Sequence, residues 1–364
     1  MHPALATALF RTLGSRYPVI QTAMGWVSRP ELVAASCNAG AFGFLAAATL
    51  RAEAVGPAID AVRVLTDQPF GVNFHMFQPG AAQIVETIIA KRVRAVSFGR
   101  GPDKAAIKRF RDAGVLCIPT VGAVRHAQKM VELGVDAVTV QGGEGGGHTG
   151  SVATTVLLPQ VLDAVKVPVV AAGGFSDGRG LAAALAFGAQ GIAMGTRFLM
   201  TKECPVPEAT KQRYVGAKTD DIVVTTRVDG IPQRMIRNEV LTRLENATGA
   251  SMLLSAVGNA LAVRRMTGAS VGDLIHAARG MMKEQGLSFA QALMAANAPA
   301  LLERSMMQGR PVDGIMATGQ IAGALNDLPT CAELLERIIC EAEERIAVLS
   351  GAAAISDAAC VARG

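Results

Sequence analysis

The chain has 364 residues, of which half are apolar and 4% are aromatic. That length is enough to bury a large core, and it allows two domains or one α/β barrel, since such barrels alone reach about 250 residues. The net charge of +5 comes from scattered Lys and Arg residues with few aromatic residues between them. This pattern predicts solvated helix faces and argues against a nucleic-acid-binding protein.

Cysteine spacing and hydropathy argue against several further classes of protein. The six cysteines are far apart and form no C-x-x-C pair, so neither a metal site nor a disulfide framework is indicated. No run of about 18 apolar residues is present, which predicts no membrane-spanning helix. Residues 1–11 carry no charged leader before a short apolar run, unlike a signal peptide. We therefore expect a cytoplasmic protein that does not bind a membrane.

One unit repeats from Pro18 onward: a short apolar run, a glycine-rich or polar loop, an amphipathic stretch and a glycine. The apolar runs are continuous rather than alternating, as is typical of strands covered on both faces. Strands that alternate with helices imply a parallel sheet, and eight such units in about 180 residues favour a (β/α)₈ TIM barrel over an open doubly wound sheet. The eight runs are Pro18–Thr22, Ala41–Ala46, Phe70–Phe74, Ala95–Phe98, Val115–Pro119, Ala137–Gln141, Val167–Ala172 and Gly191–Met194.

Helix boundaries are also marked in the sequence. Ser28-Arg29-Pro30-Glu31 has the form of a capping box, in which Ser28 and Glu31 would satisfy N–H groups at a helix start. Four helices are expected to end at a glycine just before the next strand, because glycine adopts the left-handed conformation that stops a helix. These glycines are Gly40, Gly114, Gly134 and Gly188.

The pattern changes after Arg197. A β-like run at residues 221–228 is compatible with a hairpin arm or a loop. Residues 240–310 have helical periodicity and many methionines, and we interpret them as a helical cap over the barrel mouth, with core packing the favoured role of the methionines. Residues 328–349 predict a helix that returns to the barrel. The predicted barrel thus comprises 1–200 and 310–350, and 351–364 are predicted to form a frayed tail.

The loop after the sixth strand carries the strongest functional signal. Five of the seven residues from Gln141 to Gly147 are glycine, so backbone N–H groups there can approach a ligand closely. His148 follows, and histidine is suited to moving protons near neutral pH. For Glu144 three roles stay open: orienting His148, binding a ring hydroxyl, or capping a backbone N–H. His75, after the third strand, is a second and less favoured candidate to face the site.

The same loop contains a formal G-x-G-x-x-G match at Gly145–Gly150. A dinucleotide-binding fold would place this motif after its first strand, with an acidic residue about 20 positions later. Here the motif follows the sixth strand and position 170 is Val170. The dinucleotide-binding interpretation is therefore rejected.

Two later loops predict a phosphate site. In TIM barrels, phosphate is frequently held by the loops after strands seven and eight. Strand seven is followed by Gly173-Gly174, with Ser176 or Asp177 placed to cap the next helix, and strand eight is followed by Gly195-Thr196. Two glycine turns, a helix N-terminus and a Thr hydroxyl would form a phosphate cradle. The alternative is that these are tight turns with no ligand.

Taken together, five segments resemble the nitronate monooxygenase (2-nitropropane dioxygenase) family, which also includes flavin-type enoyl-acyl carrier protein reductases. The resemblance covers roughly residues 15–325, including a late Gly-Gln segment at Ala317–Gly323. The forms of Gly145–Gly150 and Gly230–Arg234 look closer to a subgroup associated with bacterial steroid-ring degradation, acting on coenzyme A thioesters. The five segments are Val19–Gly25, Gly71–Asn73, Gln141–Gly150, Ala172–Gly174 and Met194–Phe198.

The resemblance implies a TIM barrel that holds FMN non-covalently, with NADH or NADPH as a candidate electron donor. It implies that His148 is the catalytic base, that Met24 lies against the isoalloxazine ring, and that Asn73 and Gln141 bind the ring's polar edge. The partner is a small-molecule substrate, and a homodimer is left open. The implied cofactor-binding residues are Thr22, Ala23, Met24, Asn73, Gln141, Gly146, Gly173, Gly174, Met194, Gly195, Thr196 and Gln320.

The expected function is an FMN-dependent oxidoreductase in which His148 moves a proton at a carbon acidified by a nitro or thioester group. A nitronate or nitroalkane is the first expectation. A coenzyme A thioester of a ring compound, or an enoyl thioester, is the alternative. Two residues depart from the family pattern: Ala193 replaces a common Gln, and Ile231 replaces the Arg of a Gly-Arg-Pro segment. Two rivals remain: a phosphate-binding lyase or isomerase without flavin, and a non-catalytic flavin-binding protein.

Overall fold

All eight predicted apolar runs contain a strand of the barrel sheet. The computed structural model describes residues 1–76, 78–99, 104–246 and 298–351. In this part of the chain the strands are β1 (Val19–Gln21), β2 (Phe42–Ala46), β3 (Gly71–Asn73), β4 (Ala95–Ser97), β5 (Leu116–Cys117), β6 (Thr120–Val121), β7 (Val138–Gln141), β8 (Gly147–His148), β9 (Val169–Ala172), β10 (Gly191–Met194), β11 (Ile222–Thr225) and β12 (Gln233–Ile236).

The large sheet is parallel throughout and closes on itself. Its order is β5-β4-β3-β2-β1-β10-β9-β7-β6. The terminal member β5 lies in the fifth predicted run, Val115–Pro119, and the other terminal member, β6, begins directly after that run, so that only Ile118 and Pro119 separate the two strands. Strand β5 pairs with β4, and β6 pairs with β7. Because both ends of the sheet belong to one stretch of chain, the predicted (β/α)₈ barrel is confirmed.

Side chains fill the inside of the barrel. Residues from most of its strands, among them Ile20, Phe42 and Val170, form one buried cluster. The short helix at residues 8–13 adds Leu9, Phe10 and Leu13 to this cluster, so it packs against the filled barrel interior. A filled interior leaves only the strand ends and their loops to form a site, as in other barrels of this type.

Helices follow the strands in alternation. In the described residues they are α1 (Ala8–Leu13), α2 (Pro30–Asn38), α3 (Ala52–Leu65), α4 (Ala81–Ala90), α5 (Lys104–Asp112), α6 (Val124–Glu132), α7 (Thr154–Ala164), α8 (Gly178–Phe187), α9 (Thr196–Leu199), α10 (Glu208–Val215), α11 (Glu239–Asn246), α12 (Ala298–Met306) and α13 (Cys331–Leu349), with 3-10 helices at Pro3–Leu5, Thr219–Asp221 and Gln320–Ala324. None of the helices in these ranges has the length and apolar character needed to cross a bilayer.

The four helix ends predicted at glycines are confirmed, whereas the helix start predicted at Ser28 is not. Gly40, Gly114, Gly134 and Gly188 all have left-handed φ angles, between 73° and 103°. The capping box at Ser28 was wrong: α2 begins after Arg29, with no side-chain cap. The Ser28 hydroxyl instead accepts hydrogen bonds from Met24 N–H and Gln21 Nε2, each 2.9 Å long. It therefore shapes the loop after β1 rather than the helix.

The C-terminal third adds a second small sheet. Strands β11 and β12 form an antiparallel hairpin, so the β-like run near residue 221 is a hairpin arm. Strand β12 also pairs with β8, next to the glycine-rich loop. The returning helix α13 packs against α8 and α2 of the barrel.

Parts of two sequence predictions lie outside the described residues. Helices α11 and α12 are the two ends of the predicted 240–310 cap, whereas residues 247–297, with Met252, Met266, Met281, Met282 and Met294, are not described. Residues 352–364 of the predicted tail are not described either. The division into barrel, cap and tail stays a prediction.

Candidate active site

A cavity of about 600 Å³ opens where the barrel strands end. Its size lies within the range of about 300–1,000 Å³ that is typical of small-molecule and cofactor sites. Among the residues predicted from the sequence, all but Gln320 line it. These are Thr22, Ala23, Met24, Asn73, Gln141, Gly146, His148, Gly173, Gly174, Met194, Gly195 and Thr196. His75 and Ala193 line the cavity as well.

Gln320 is not among the residues that line the cavity. Its side-chain oxygen accepts a hydrogen bond from the guanidinium of Arg234, and its N–H donates to the carbonyl of Glu144 at 2.9 Å. The preceding Gly319 donates its N–H to Thr196 Oγ1 at 2.8 Å. Residues 317–321, which we call the late loop, thereby fasten the loop after β7 to the loop after β10.

Gly146 has a structural reason to be glycine. A Cβ at this position would lie 2.6 Å from the carbonyl carbon of Thr318 and 2.7 Å from the nitrogen of Gly319. Both are backbone atoms that cannot move aside independently. Gly146 therefore allows the late loop to approach, in addition to lining the cavity.

Glu144 caps a helix. Its Oε2 accepts hydrogen bonds from the N–H and the hydroxyl of Thr154, the first residue of α7, at 2.9 and 2.7 Å. A carboxylate at a helix N-terminus is favourable because it satisfies free N–H groups there. Of the three roles left open by the sequence, the structure shows backbone capping.

His148 is held by a carboxylate that the sequence analysis missed. His148 Nε2 lies 2.7 Å from Oδ2 of Asp229, whose side chain is only 8% exposed. The other carboxylate oxygen accepts the N–H of Ile231 at 3.0 Å, which fixes the orientation of Asp229. The histidine comes from β8 and the aspartate from the turn of the β11–β12 hairpin, 81 residues later. The local signal was Asp229 itself, which directly precedes the motif at Gly230–Arg234 and forms an Asp-Gly pair with its first residue.

This contact determines which nitrogen of His148 is basic. A hydrogen bond to an ionised carboxylate requires a proton on Nε2, so in the neutral imidazole Nδ1 carries the free lone pair. The imidazole is about half exposed. A ring held in this way is arranged to accept a proton at Nδ1, and the adjacent carboxylate would stabilise the cation that results.

The described side chains that line the cavity offer an anion no permanent cation. Within the described ranges its lining includes two carboxylates, Glu144 and Asp229, and no Lys or Arg. Arg234, from the motif that departs from the family pattern, instead donates to the carbonyl of Gly143 at 2.7 Å, and burial lowers its pKa. Residues of α12, among them Leu302 and Met306, form an apolar wall, and Trp26 lines the cavity as well.

The chemistry of the lining suits a flavin. Asn73 Nδ2 donates to Ser97 O and Gln141 Nε2 donates to His148 O, both at 3.1 Å, which leaves their carboxamide oxygens to accept N–H groups of a ring. Gly173 and Gly174 turn the chain with φ angles of 100° and 81°, conformations that favour glycine. The residues present therefore fit both a polar ring edge and a chain carrying phosphate.

Comparison with known proteins decides the family. The model of the nitronate monooxygenase family matches residues 6–86 and 78–341. This chain belongs to the nitronate monooxygenase family. Membership confirms the resemblance seen in the sequence, makes the chain an oxidoreductase, and implies a flavin cofactor.

Two curated relatives are similar over nearly their full length. Both are named "(3aS,4S,5R,7aS)-5-hydroxy-7a-methyl-1-oxo-octahydro-1H-indene-4-carboxyl-CoA dehydrogenase". The one from Mycobacterium tuberculosis is 48% identical over 93% of this chain and 96% of its own length. The one from Rhodococcus jostii is 46% identical over 95% and 98%. A "Probable nitronate monooxygenase" of Staphylococcus aureus is 32% identical over 66% of this chain and 81% of its own length.

Solved structures share this fold over most of the chain. FabK from Thermotoga maritima superposes with a TM-score of 0.77 at 30% identity, covering 95% of this chain and 99% of its own. Nitroalkane oxidase from Streptomyces ansochromogenes superposes with a TM-score of 0.76 at 28% identity, covering 94% and 100%.

Proposed function

We propose that this protein is an FMN-dependent dehydrogenase that acts on the coenzyme A thioester of a ring carboxylic acid. The observation that carries the proposal is the cavity itself: a carboxylate-paired imidazole, an apolar wall, and no Lys or Arg among the described lining residues. Similarity to the two carboxyl-CoA dehydrogenases over nearly their full length supports the substrate class. Steroid-ring catabolism, the alternative raised by the sequence, is the process that this substrate class fits.

Nitronate oxidation is the second candidate. It is favoured by the 32% identity to a probable nitronate monooxygenase and by the fold shared with a nitroalkane oxidase. A nitronate is an anion, however, and the described lining offers it two carboxylates and no permanent cation. Next to Asp229 an anion would have a carboxylate neighbour and, among the described lining residues, no Lys or Arg, which is costly, so the neutral carbonyl of a thioester suits that part of the cavity better. The phosphate of FMN would instead be held by backbone N–H groups of the glycine turns.

In the proposed reaction His148 accepts the proton from the carbon next to the thioester carbonyl. Nδ1 receives it, while the carboxylate of Asp229 holds Nε2–H and stabilises the imidazolium. A bound flavin would supply the acceptor for the hydride that leaves the neighbouring carbon. In the relatives' printed substrate name that neighbouring position, carbon 5, carries a hydroxyl group, and carbon 4 carries the carboxyl-CoA.

The proposed FMN would be held by the predicted residues that line the cavity. Gly173, Gly174, Gly195 and Thr196 would surround its phosphate and ribityl chain, and Met24 would lie against the ring. A dehydrogenase delivers electrons to the cofactor, so NADH or NADPH would serve as donor only in the opposite, reductive direction.

The visible spectrum and anaerobic reduction test this proposal. We expect the purified protein to be yellow, and cyclohexanecarboxyl-CoA, or the same ring with a hydroxyl next to the carboxyl carbon, to bleach the flavin without oxygen. Ethyl nitronate and NADH are the comparison additions. A colourless protein would support the lyase or isomerase rival. Bound FMN that none of these compounds reduces would support a non-catalytic flavoprotein, and bleaching by nitronate alone would support the second candidate.

A further inference from the structure

The β12 strand places a second polar side chain beside His148. Gln233 pairs directly with His148 in the antiparallel ladder between β12 and β8. Residues directly opposite each other in such a ladder have Cβ atoms about 4.5–5.5 Å apart, and their side chains lie on the same face. Both residues line the cavity. The ladder therefore delivers a carboxamide and an imidazole to the same wall.

Gln233 is buried and its amide is unused. The residue is 4% exposed. Within the described part of the chain its side chain makes no hydrogen bond, whereas the other two carboxamides of the lining, Asn73 and Gln141, each donate to a backbone carbonyl. Its unpaired amide atoms are not fully enclosed by protein, so they are open to the cavity. A buried donor that faces a cavity is the expected arrangement where a ligand completes the hydrogen bond.

The chemistry of the lining restricts what Gln233 can bind. Asp229 and Glu144 only accept hydrogen bonds when ionised, and no Lys or Arg lines the described cavity. Nε2 of Gln233 is therefore a neutral donor next to the proposed base. A neutral donor suits a carbonyl oxygen that becomes negative only during the reaction, because it does not trap a permanently anionic ligand.

We propose that Gln233 binds the carbonyl oxygen of the substrate's thioester through Nε2 and stabilises the negative charge that develops there. This inference rests on the proposed function. The C–H bond next to the carbonyl breaks, and its proton passes to Nδ1 of His148. The electron pair moves into the bond to the carbonyl carbon, and the charge accumulates on the oxygen that Gln233 holds. No oxidation occurs in this step.

The step is measured by isotope exchange at the acidified carbon. The holoenzyme is kept anaerobic and reduced with dithionite, so that no oxidation can follow. Cyclohexanecarboxyl-CoA is added in D₂O, and deuterium uptake is followed by mass spectrometry. Removing one preorganised oxyanion donor typically costs about 10²–10³-fold. We expect Gln233→Leu to slow the exchange by about 10²-fold, while Gln83→Leu, an exposed position on α4, leaves the rate unchanged.

A binding measurement separates charge stabilisation from a general packing effect. A coenzyme A thioether, in which a methylene group replaces the carbonyl, should bind the wild-type protein and Gln233→Leu with equal Kd. Gln233→Met, which keeps the unbranched shape, should repeat both results if the Leu variant does not fold. Equal exchange rates in wild type and either folded variant would overturn the role of Gln233.

Failure of the proposed function gives a different result. A wild-type enzyme that exchanges no proton of any coenzyme A thioester, and whose flavin none of them bleaches, would refute the substrate class. If nitroethane then reacts, a Gln233→Leu enzyme as fast as wild type with that compound would also refute the donor role. Wild-type exchange without any effect of the Gln233 variants would refute the inference alone.

Discussion

His148 owes its orientation to a residue far away in sequence. Asp229 is buried, receives the N–H of Ile231, and presents its second oxygen to the imidazole at 2.7 Å. A carboxylate in this position selects the tautomer and stabilises the protonated ring. Asp229 is thus a positioning residue, whereas His148 is the proposed catalytic residue.

Removing either member of the pair should impair proton transfer without loss of FMN. We expect His148→Ala and Asp229→Asn to slow anaerobic flavin reduction by the thioester by about 10²–10⁴-fold, the range that a positioned base supplies. An Asn amide that donates to Nε2 would shift the ring proton to Nδ1 and abolish the base. The stopped-flow bleaching rate and the FMN content after gel filtration are the measurements.

The matched controls are His126→Ala and Asp220→Asn, both at exposed positions. Neither should change the bleaching rate. Added imidazole should partly restore His148→Ala, and Asp229→Asn should lower kcat with little effect on KM. Full turnover by His148→Ala would remove this residue from the mechanism.

At the scale of elements, three loops meet around the cavity. The late loop donates two backbone hydrogen bonds, one to Glu144 O in the loop after β7 and one to Thr196 Oγ1 after β10. Glu144 in turn binds the first residue of α7. The small β8–β11–β12 sheet adds the proton-transfer pair to this frame. The site is therefore built from several segments that are hydrogen-bonded to one another, rather than from one motif.

Gly146→Ala should separate two of these segments. Its Cβ would lie within 2.7 Å of two backbone atoms of the late loop, so that loop must move. Strain of this kind typically costs about 1–3 kcal/mol. We expect a lower free energy of unfolding and weaker FMN retention, measured by urea denaturation and by flavin release on dilution.

Gly122→Ala is the control for that change. It lies at the end of β6, and its added Cβ would meet only Gln141 O, at 3.7 Å. Wild-type stability is expected there. A Gly146→Ala protein with unchanged stability and FMN affinity would show that the close approach is not needed.

At the scale of the whole molecule, four buried thiols should make the stability of the fold depend on pH. Burial is the largest cause that raises the pKa of Cys37 and Cys204 to about 11 and that of Cys117 to about 12, and it also raises the pKa of Cys331 above the ordinary value of 9.0. The folded state holds these protons more tightly than the unfolded chain. The contribution of these four thiols to the free energy of unfolding is therefore fully present below pH 9. It is lost as the pH rises through 11.

We expect the free energy of unfolding to fall between pH 9 and pH 11, by up to about 1.4 kcal/mol per pH unit for each buried thiol. Urea denaturation across this range measures the slope. At pH 8 the same four thiols should resist iodoacetamide, while the exposed Cys340 reacts. Cys340→Ser should leave the alkaline slope unchanged. Rapid alkylation of the four buried thiols in the native protein would contradict the burial.

The sequence by itself determined the barrel and a set of site residues of which all but Gln320 line the cavity. Continuous apolar runs and glycine helix stops are local patterns, and the ends of parallel strands meet on one face wherever such units repeat. That is why His148, Met24 and the paired glycines were found from spacing and family resemblance. The failed capping box at Ser28 shows the limit, because a hydroxyl can bond a neighbouring loop instead of the next helix.

Tertiary structure alone decided how the site is completed. Asp229 and Gln233 reach His148 only because β12 pairs with β8, and no local pattern specifies a strand pair 85 residues apart in the chain, 148 against 233. The same holds for Gln320, whose side chain bonds Arg234 and is not part of the cavity lining. Contacts between distant segments depend on the packing of the whole chain, so a linear motif can indicate the base but not the groups that orient it.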